Sequence, residues 1–170
     1  VGFCRIRLQK ECCLTAHHIK EIKVSKGNTF ENDYMKLIFN NVAIPLIGDA
    51  SGIQPSATAG NLYLAFHTAD PGEGGDQTTS ETAYTGYTRM AVARTTGGFT
   101  VSANAVNLVA NLDFPACTAS PGAALTHFSI GVASSGTSKI LYSGTATPNV
   151  TMAVGVIPRI TTAANLVTED

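Results

Sequence analysis

Tryptophan is absent from the chain, and charged residues make up only 14% of its 170 positions. Typical soluble proteins carry about 25%. No basic stripe is present and the pI is near 6.5. That excludes nucleic acid as the main partner, because phosphate binding needs clustered Lys and Arg. No run approaches the ~20 continuous apolar residues of a membrane-spanning helix, so a membrane partner is not expected. Nucleophile and phosphate motifs are missing as well. The chain holds no G-x-S-x-G, Cys117 lacks a local catalytic signature, and Gly72–Gly75 is not followed by the Lys-Ser/Thr of a phosphate loop. No motif calls for a cofactor, and an enzyme is not expected.

Cysteine is scarce beyond the first segment. Residues 1–23 hold Cys4, Cys12 and Cys13, leaving Cys117 as the one thiol downstream. The same segment carries five of the eleven basic residues, so from Val24 onward six basic residues face ten acidic ones, a formal charge of −4. The break in composition, and an opening Val in place of Met, point to a true start at Val24 read from a GTG codon, with residues 1–23 a non-native upstream extension or a disordered segment. A zinc reading of Cys4, Cys12, Cys13, His17 and His18 lacks the paired C-x₂₋₄-C spacing. No apolar core of signal-peptide type precedes a cleavage site.

What is present reads first as a helix and then as strands. Asn28 stands as N-cap with Glu31 three residues on, able to reach back to it. Phe30, Tyr34, Leu37 and Ile38 then recur on one face of a helix running to about Asn41. Residues 24–50 thus form a helix and linker ahead of a β domain over 51–170. Alternation predicts strands at Asn61–His67, Thr88–Thr95, Phe99–Ser102, Val106–Phe114, Leu125–Ala133, Lys139–Ser143, Val150–Ile157 and Arg159–Val167. Gly, Pro, Asn and Ser punctuate them. Residues 70–87 are expected to form a long exposed loop. Short strands with frequent turns and no helical crossover indicate a mainly β fold, an antiparallel sandwich or jelly roll with one N-terminal helix. Nineteen Thr in residues 51–170 suit strand surfaces. Edges with so little charge are expected to pair, giving a homo-oligomer.

Three groups of residues carry candidate chemistry. His67 and His127, with Asp70 or Asp113 nearby, would make a metal or acid–base site if adjacent strands brought the imidazoles together. The alternative is a pair of hydrogen-bonded structural histidines. Asp70, Glu73 and Asp76 offer oxygen donors of the kind Ca²⁺ accepts, though D-x-x-E-x-x-D is not an EF-hand spacing and a solvated turn accounts for it. Tyr84 and Tyr87 could stack a sugar. Arg89 and Arg94 fall on opposite faces of one predicted strand, so they make no common basic stripe.

Asn61–Gln77 (NLYLAFHTADPGEGGDQ), Tyr84–Arg94 (YTGYTRMAVAR), Thr126–Ala133 (THFSIGVA) and Lys139–Gly144 (KILYSG) together resemble small virion proteins of tailed bacteriophages, described as structural, head-decoration or minor tail proteins. NTFENDYMKLIFNN is similar to the N-terminal helix of that family. The resemblance implies a non-enzymatic subunit on a capsid or tail surface, with capsid or tail proteins as partners. Its leading implication is head decoration, and the alternative is a tail or fibre module that binds host glycans. Phe30, Tyr34, Leu37 and Ile38 would then serve either the core or the anchoring contact. A metal-dependent hydrolase built on His67, His127 and Asp70 is the enzymatic alternative.

Overall fold

The computed structural model describes residues 25–169. The zinc reading and the expected start at Val24 fall outside them. One helix, α1 (Asn28–Asn40), precedes nine strands: β1 (Asn61–His67), β2 (Met90–Ala93), β3 (Phe99–Ser102), β4 (Ala105–Leu108), β5 (Leu112–Asp113), β6 (Leu125–Gly131), β7 (Ile140–Val150), β8 (Arg159–Ile160) and β9 (Asn165–Thr168). They pair as sheets β2-β1-β6-β7, β3-β4-β9 and β5-β8. Every pairing is antiparallel. The fold is therefore mainly β with one helix near the N-terminus, as the strand pattern implies.

The helix begins one residue earlier than its sequence signal. Gly27 is the extended N-cap and makes no side-chain cap, while Asn28 is already helical. Glu31 does not reach back, because it lies on the inward stripe with Met35 and Phe39. The buried stripe is thus displaced from the expected Phe30, Tyr34, Leu37 and Ile38. Phe39 decides the rotation, packing edge-on against Phe99 of β3 at 5.1 Å and against Tyr142 of β7 at 5.5 Å. Asn40 Nδ2 adds a hydrogen bond to the Phe99 carbonyl at 2.7 Å. Ile38 packs against the core from its margin, and Phe30 remains 41% exposed.

At its C-terminus the helix has no basic residue in the last turn. Its last carbonyls are instead met from β2. Arg94 donates to the Leu37 and Ile38 carbonyls at 2.8 and 2.7 Å, and to Asn41 Oδ1 at 3.2 Å. Those carbonyls have no intrahelical partner, so a guanidinium brought in from the sheet does the work of a C-cap.

Strand boundaries differ from expectation where tertiary pairing overrides pattern. The Val106–Phe114 run breaks into β4 and β5, and Arg159–Val167 breaks into β8 and β9. β7 runs straight through the expected Thr147-Pro148-Asn149 turn, and Val150–Ile157 forms no strand beyond Val150. Pro148 is tolerated because β7 is the edge of its sheet, where a missing N–H breaks no ladder. A register shift between Leu125 and His127 absorbs the extra β7 residues.

Core residues come from every layer. Met35 and Phe39 of α1 join Leu62, Leu64 and Phe66 of β1, Phe99, Val106 and Leu108 of the second sheet, and Leu125 and Ile130 of β6 in one apolar cluster. On β1 the burial does not alternate, since Ala65 and His67 are as hidden as Leu64 and Phe66. The segment between β1 and β2 covers that second face. It is not the exposed loop its polarity suggests: Pro71, Gln77, Thr82 and Tyr84 within it are buried.

Candidate functional site

The segment between β1 and β2 is fastened by a polar network centred on Arg89, whose side chain is 2% exposed. Arg89 Nε and Nη2 donate to the two oxygens of Glu81 at 2.7 and 2.8 Å, a bidentate pair. Nη2 also reaches the Gly136 carbonyl at 2.8 Å, and Nη1 the Ala133 carbonyl at 3.1 Å. From Nη1 the network continues to Gln77 Oε1 at 3.3 Å, which also accepts from Ser138 at 2.7 Å. Gln77 Nε2 donates to the Tyr63 carbonyl and to Ser129 Oγ. The amide of Gln77 rests on Gly131: a Cβ there would lie 2.1 Å from Gln77 Cδ, so only glycine leaves room.

His67 ends the network. Its Nδ1 lies 2.9 Å from the Thr79 carbonyl, which can only accept, so Nδ1 carries the proton. Nε2 then accepts from Ser129 Oγ at 2.8 Å. His67 is fully buried, and burial lowers its pKa below the ordinary value. The Thr79 carbonyl and Glu81 oppose that shift, whereas Arg89 and His127 add to it.

The two histidines do meet on adjacent strands, for His67 of β1 stands directly opposite His127 of β6. Both ring nitrogens of His67 are already engaged, and His127 Nδ1 hydrogen-bonds the neighbouring Thr126 hydroxyl at 2.9 Å. Neither carboxylate proposed for the site joins them. Asp70 is exposed and accepts from its own Gly72 N–H at 2.9 Å, closing a turn, while Asp113 pairs with Arg159. Asp76 accepts from Thr78 N–H at 2.7 Å and from the Thr78 hydroxyl, which hold its carboxyl below the usual carboxylate range. Among the described residues no group of three His, Cys, Asp or Glu side chains could hold a metal ion.

Tyr84 and Tyr87 are in contact, with rings edge to face at 5.4 Å. Tyr84 is buried, donates to the Pro115 carbonyl at 2.8 Å, and has its hydroxyl pKa pushed up to about 12 by that burial. It offers no open face to a sugar. Tyr87 is half-buried, stacks on Phe114 and donates to Glu81 Oε1 at 3.0 Å. Beside it opens a cleft of about 390 Å³, bounded by Glu81, Thr82, Tyr87, Arg89 and the Ser134–Gly136 turn. Among the described residues Thr82 Oγ1 is the one buried side-chain polar atom without a hydrogen-bond partner.

The outward side of α1 is apolar at several points. Phe30 and Tyr34 lie with ring centroids 6.5 Å apart, Leu37 continues the ridge, and Ile38 borders the core. The following loop adds Leu46 at 80% exposure, with Val42, Ile47 and Ile53 also exposed. An Ile44–Ile53 bridge and the Asp49 turn give that loop its shape.

Sequence reasoning did not single out Arg89, Glu81, Gln77, Ser129 or Ser138 as a unit. A signal was available. Arg89 is one of few cations in a charge-poor chain, and it sits at the start of a strand where burial demands a partner.

Comparison with known families places the chain among bacteriophage virion structural proteins. It belongs to the family described as Podophage GP4 fiber I protein gp80, whose model matches residues 26–168. No curated protein matches the chain. Among the described residues no helix is long and apolar enough to cross a membrane.

Proposed function

We propose that the chain is a non-enzymatic structural subunit of a phage fibre, joined to neighbouring virion proteins through the outer ridge of α1. The observation that carries this reading is the family match, which covers the helix and the sheets together. It moves the fibre reading ahead of the head decoration expected from sequence. The ridge supplies the contact: Phe30, Tyr34 and Leu37 gain little from the protein's own core, and burying such a side chain against a partner yields about 1.5–3 kcal/mol. Many weak copies then hold through multivalency. Antibody–gold labelling of intact virions should mark fibres, and gold spread over the head would reinstate decoration. A Phe30→Asp/Leu37→Asp variant should fold and yet fall at least tenfold in particle incorporation; full incorporation would dismiss the ridge.

A second reading, recognition of a host glycan, is supported by the cleft beside Tyr87. Glu81 and the Ser134 and Ser135 hydroxyls stand where sugar hydroxyls could bond, with the Tyr87 ring alongside. Tyr84 would act by holding Tyr87 in place. Screening the folded protein on a glycan array tests it, and a blank array removes it.

A further inference from the structure

Residues 70–80 fold largely on themselves. Gly75 N–H donates to the Gly72 carbonyl, Thr79 N–H to the Asp76 carbonyl, and Asp76 N–H to the Thr79 hydroxyl. Among the described residues, their hydrogen bonds to the sheets, to Arg89 and to the β6–β7 connection are all made at Gln77 or Thr79. Gln77 N–H donates to the Ser138 carbonyl at 3.1 Å, and its side-chain amide meets Tyr63, Ser129, Ser138 and Arg89. The Thr79 carbonyl accepts from His67 Nδ1 at 2.9 Å. The ends of the segment are held separately, by Thr68 N–H donating to the Ser80 carbonyl and Thr82 N–H donating to the Phe66 carbonyl.

Proton positions along this chain of bonds are set from both ends. Arg89 and Ser138 donate to Gln77 Oε1, so Nε2 faces Tyr63 and Ser129. The Thr79 carbonyl takes the Nδ1 proton, so Nε2 of His67 must accept. Ser129 Oγ accepts from Gln77 and spends its one hydrogen on His67. A second proton on the ring turns Nε2 into a donor. Ser129 Oγ then receives from both neighbours, and its own hydrogen has no acceptor in a fully buried place. The added charge finds no free counterion either. Glu81 and Arg89 from the β1–β2 segment and His127 from β6 are the ionisable groups facing the ring, and Glu81 is already paired with Arg89.

We propose that His67 works an acid-released latch: a proton added to its ring frees residues 70–80 from the sheet, on hinges at Thr68 and Thr82, and uncovers Ser129 and Gly131 beneath Gln77. The release is local, because the β1–β6 ladder uses none of these bonds. This inference goes beyond the fibre reading and does not depend on where in the virion the chain sits.

Amide exchange between pH 7.5 and 5, corrected for the intrinsic pH dependence of each amide, tests the latch while keeping ordinary carboxylates mostly ionised. Burial holds the latched ring below its ordinary pKa, and the released ring regains a value of about 6.5. Opening at the Gln77 amide should therefore rise about tenfold per pH unit below 6.5, while the β1–β6 amides keep their protection. His67→Gln should remove the pH dependence, and His127→Gln should leave it in place. Equal pH dependence in wild type and His67→Gln, or β1–β6 protection lost in step with Gln77, overturns the proposal. A measurement on wild type alone stands beside the variants. Ring-nitrogen NMR should find His67 neutral for as long as Gln77 is protected, and a ring that protonates beneath a still-protected Gln77 amide counts equally against the latch.

Discussion

Replacing Arg89 by methionine keeps the aliphatic stem in place and strips every donor from the head. Glu81 then retains only the Tyr87 hydroxyl, and the Ala133 and Gly136 carbonyls lose their guanidinium partner. Breaking a buried ion pair by removing one partner costs about 3–5 kcal/mol. The Glu81 side chain keeps 17% exposure, so water can reach the abandoned carboxylate in part. The expected loss therefore lies at the low end, about 3 kcal/mol. For a chain of 170 residues that is a fall of roughly 6–12 °C in Tm, at about 2–4 °C per kcal/mol. Urea titration followed by far-UV circular dichroism measures the free energy, and calorimetry the midpoint. The double variant Arg89→Met/Glu81→Leu should recover part of the loss, since replacing both members of a buried pair with apolar groups is often close to neutral. A loss under about 1 kcal/mol for Arg89→Met would refute the reasoning, because the pair would then behave like an exposed one.

Gly131→Ala should expel the Gln77 amide and cost about 1–3 kcal/mol, as overpacking does; adding Gln77→Ala should return some of it, and an unperturbed Gly131→Ala variant would show that the amide has room to move. His67 is held below its unfolded pKa of about 6.5, so the unfolded chain takes the proton first. Its contribution is complete above that value and is lost as pH falls through the folded pKa, which predicts a urea midpoint that declines as pH drops below about 6.5. His67→Gln should flatten that slope, and equal slopes would assign the acid sensitivity elsewhere. Arg94→Ala leaves the last carbonyls of α1 without their donors, a loss of about 1–2 kcal/mol, visible as faster amide exchange in the final turn of the helix; unchanged protection there would contradict the capping role.

The amino-acid order by itself determined that residues 61–67 and 99–102 are strands, that a helix lies ahead of them, and that punctuated β segments pair antiparallel. These properties are local: side-chain alternation, helical spacing and the conformational habits of Gly, Pro and Asn act within a few residues. The stretches NLYLAFHTADPGEGGDQ and THFSIGVA are among those that carry the resemblance, and they contribute Gln77, Ser129 and Gly131 to the Arg89 network.

Only the tertiary structure decided which side of the helix turns inward. Apolar residues stand on both the Phe30–Tyr34 and Met35–Phe39 stripes, and the choice between them rests on Phe99 and Tyr142, which are distant in the chain. Likewise His67 and His127 could be paired by register alone, but whether they formed a site or a structural contact depended on Thr79 and Ser129 taking the ring nitrogens of His67. Pro148 reads as a turn until β7 is known to be an edge. Arg89 gives no hint of its acceptors at positions 133 and 136 until the β6–β7 connection folds over it. Spacing states which residues can share a face, whereas burial and hydrogen bonding between distant segments state what that face meets, and that is settled only when the sheets close on one another.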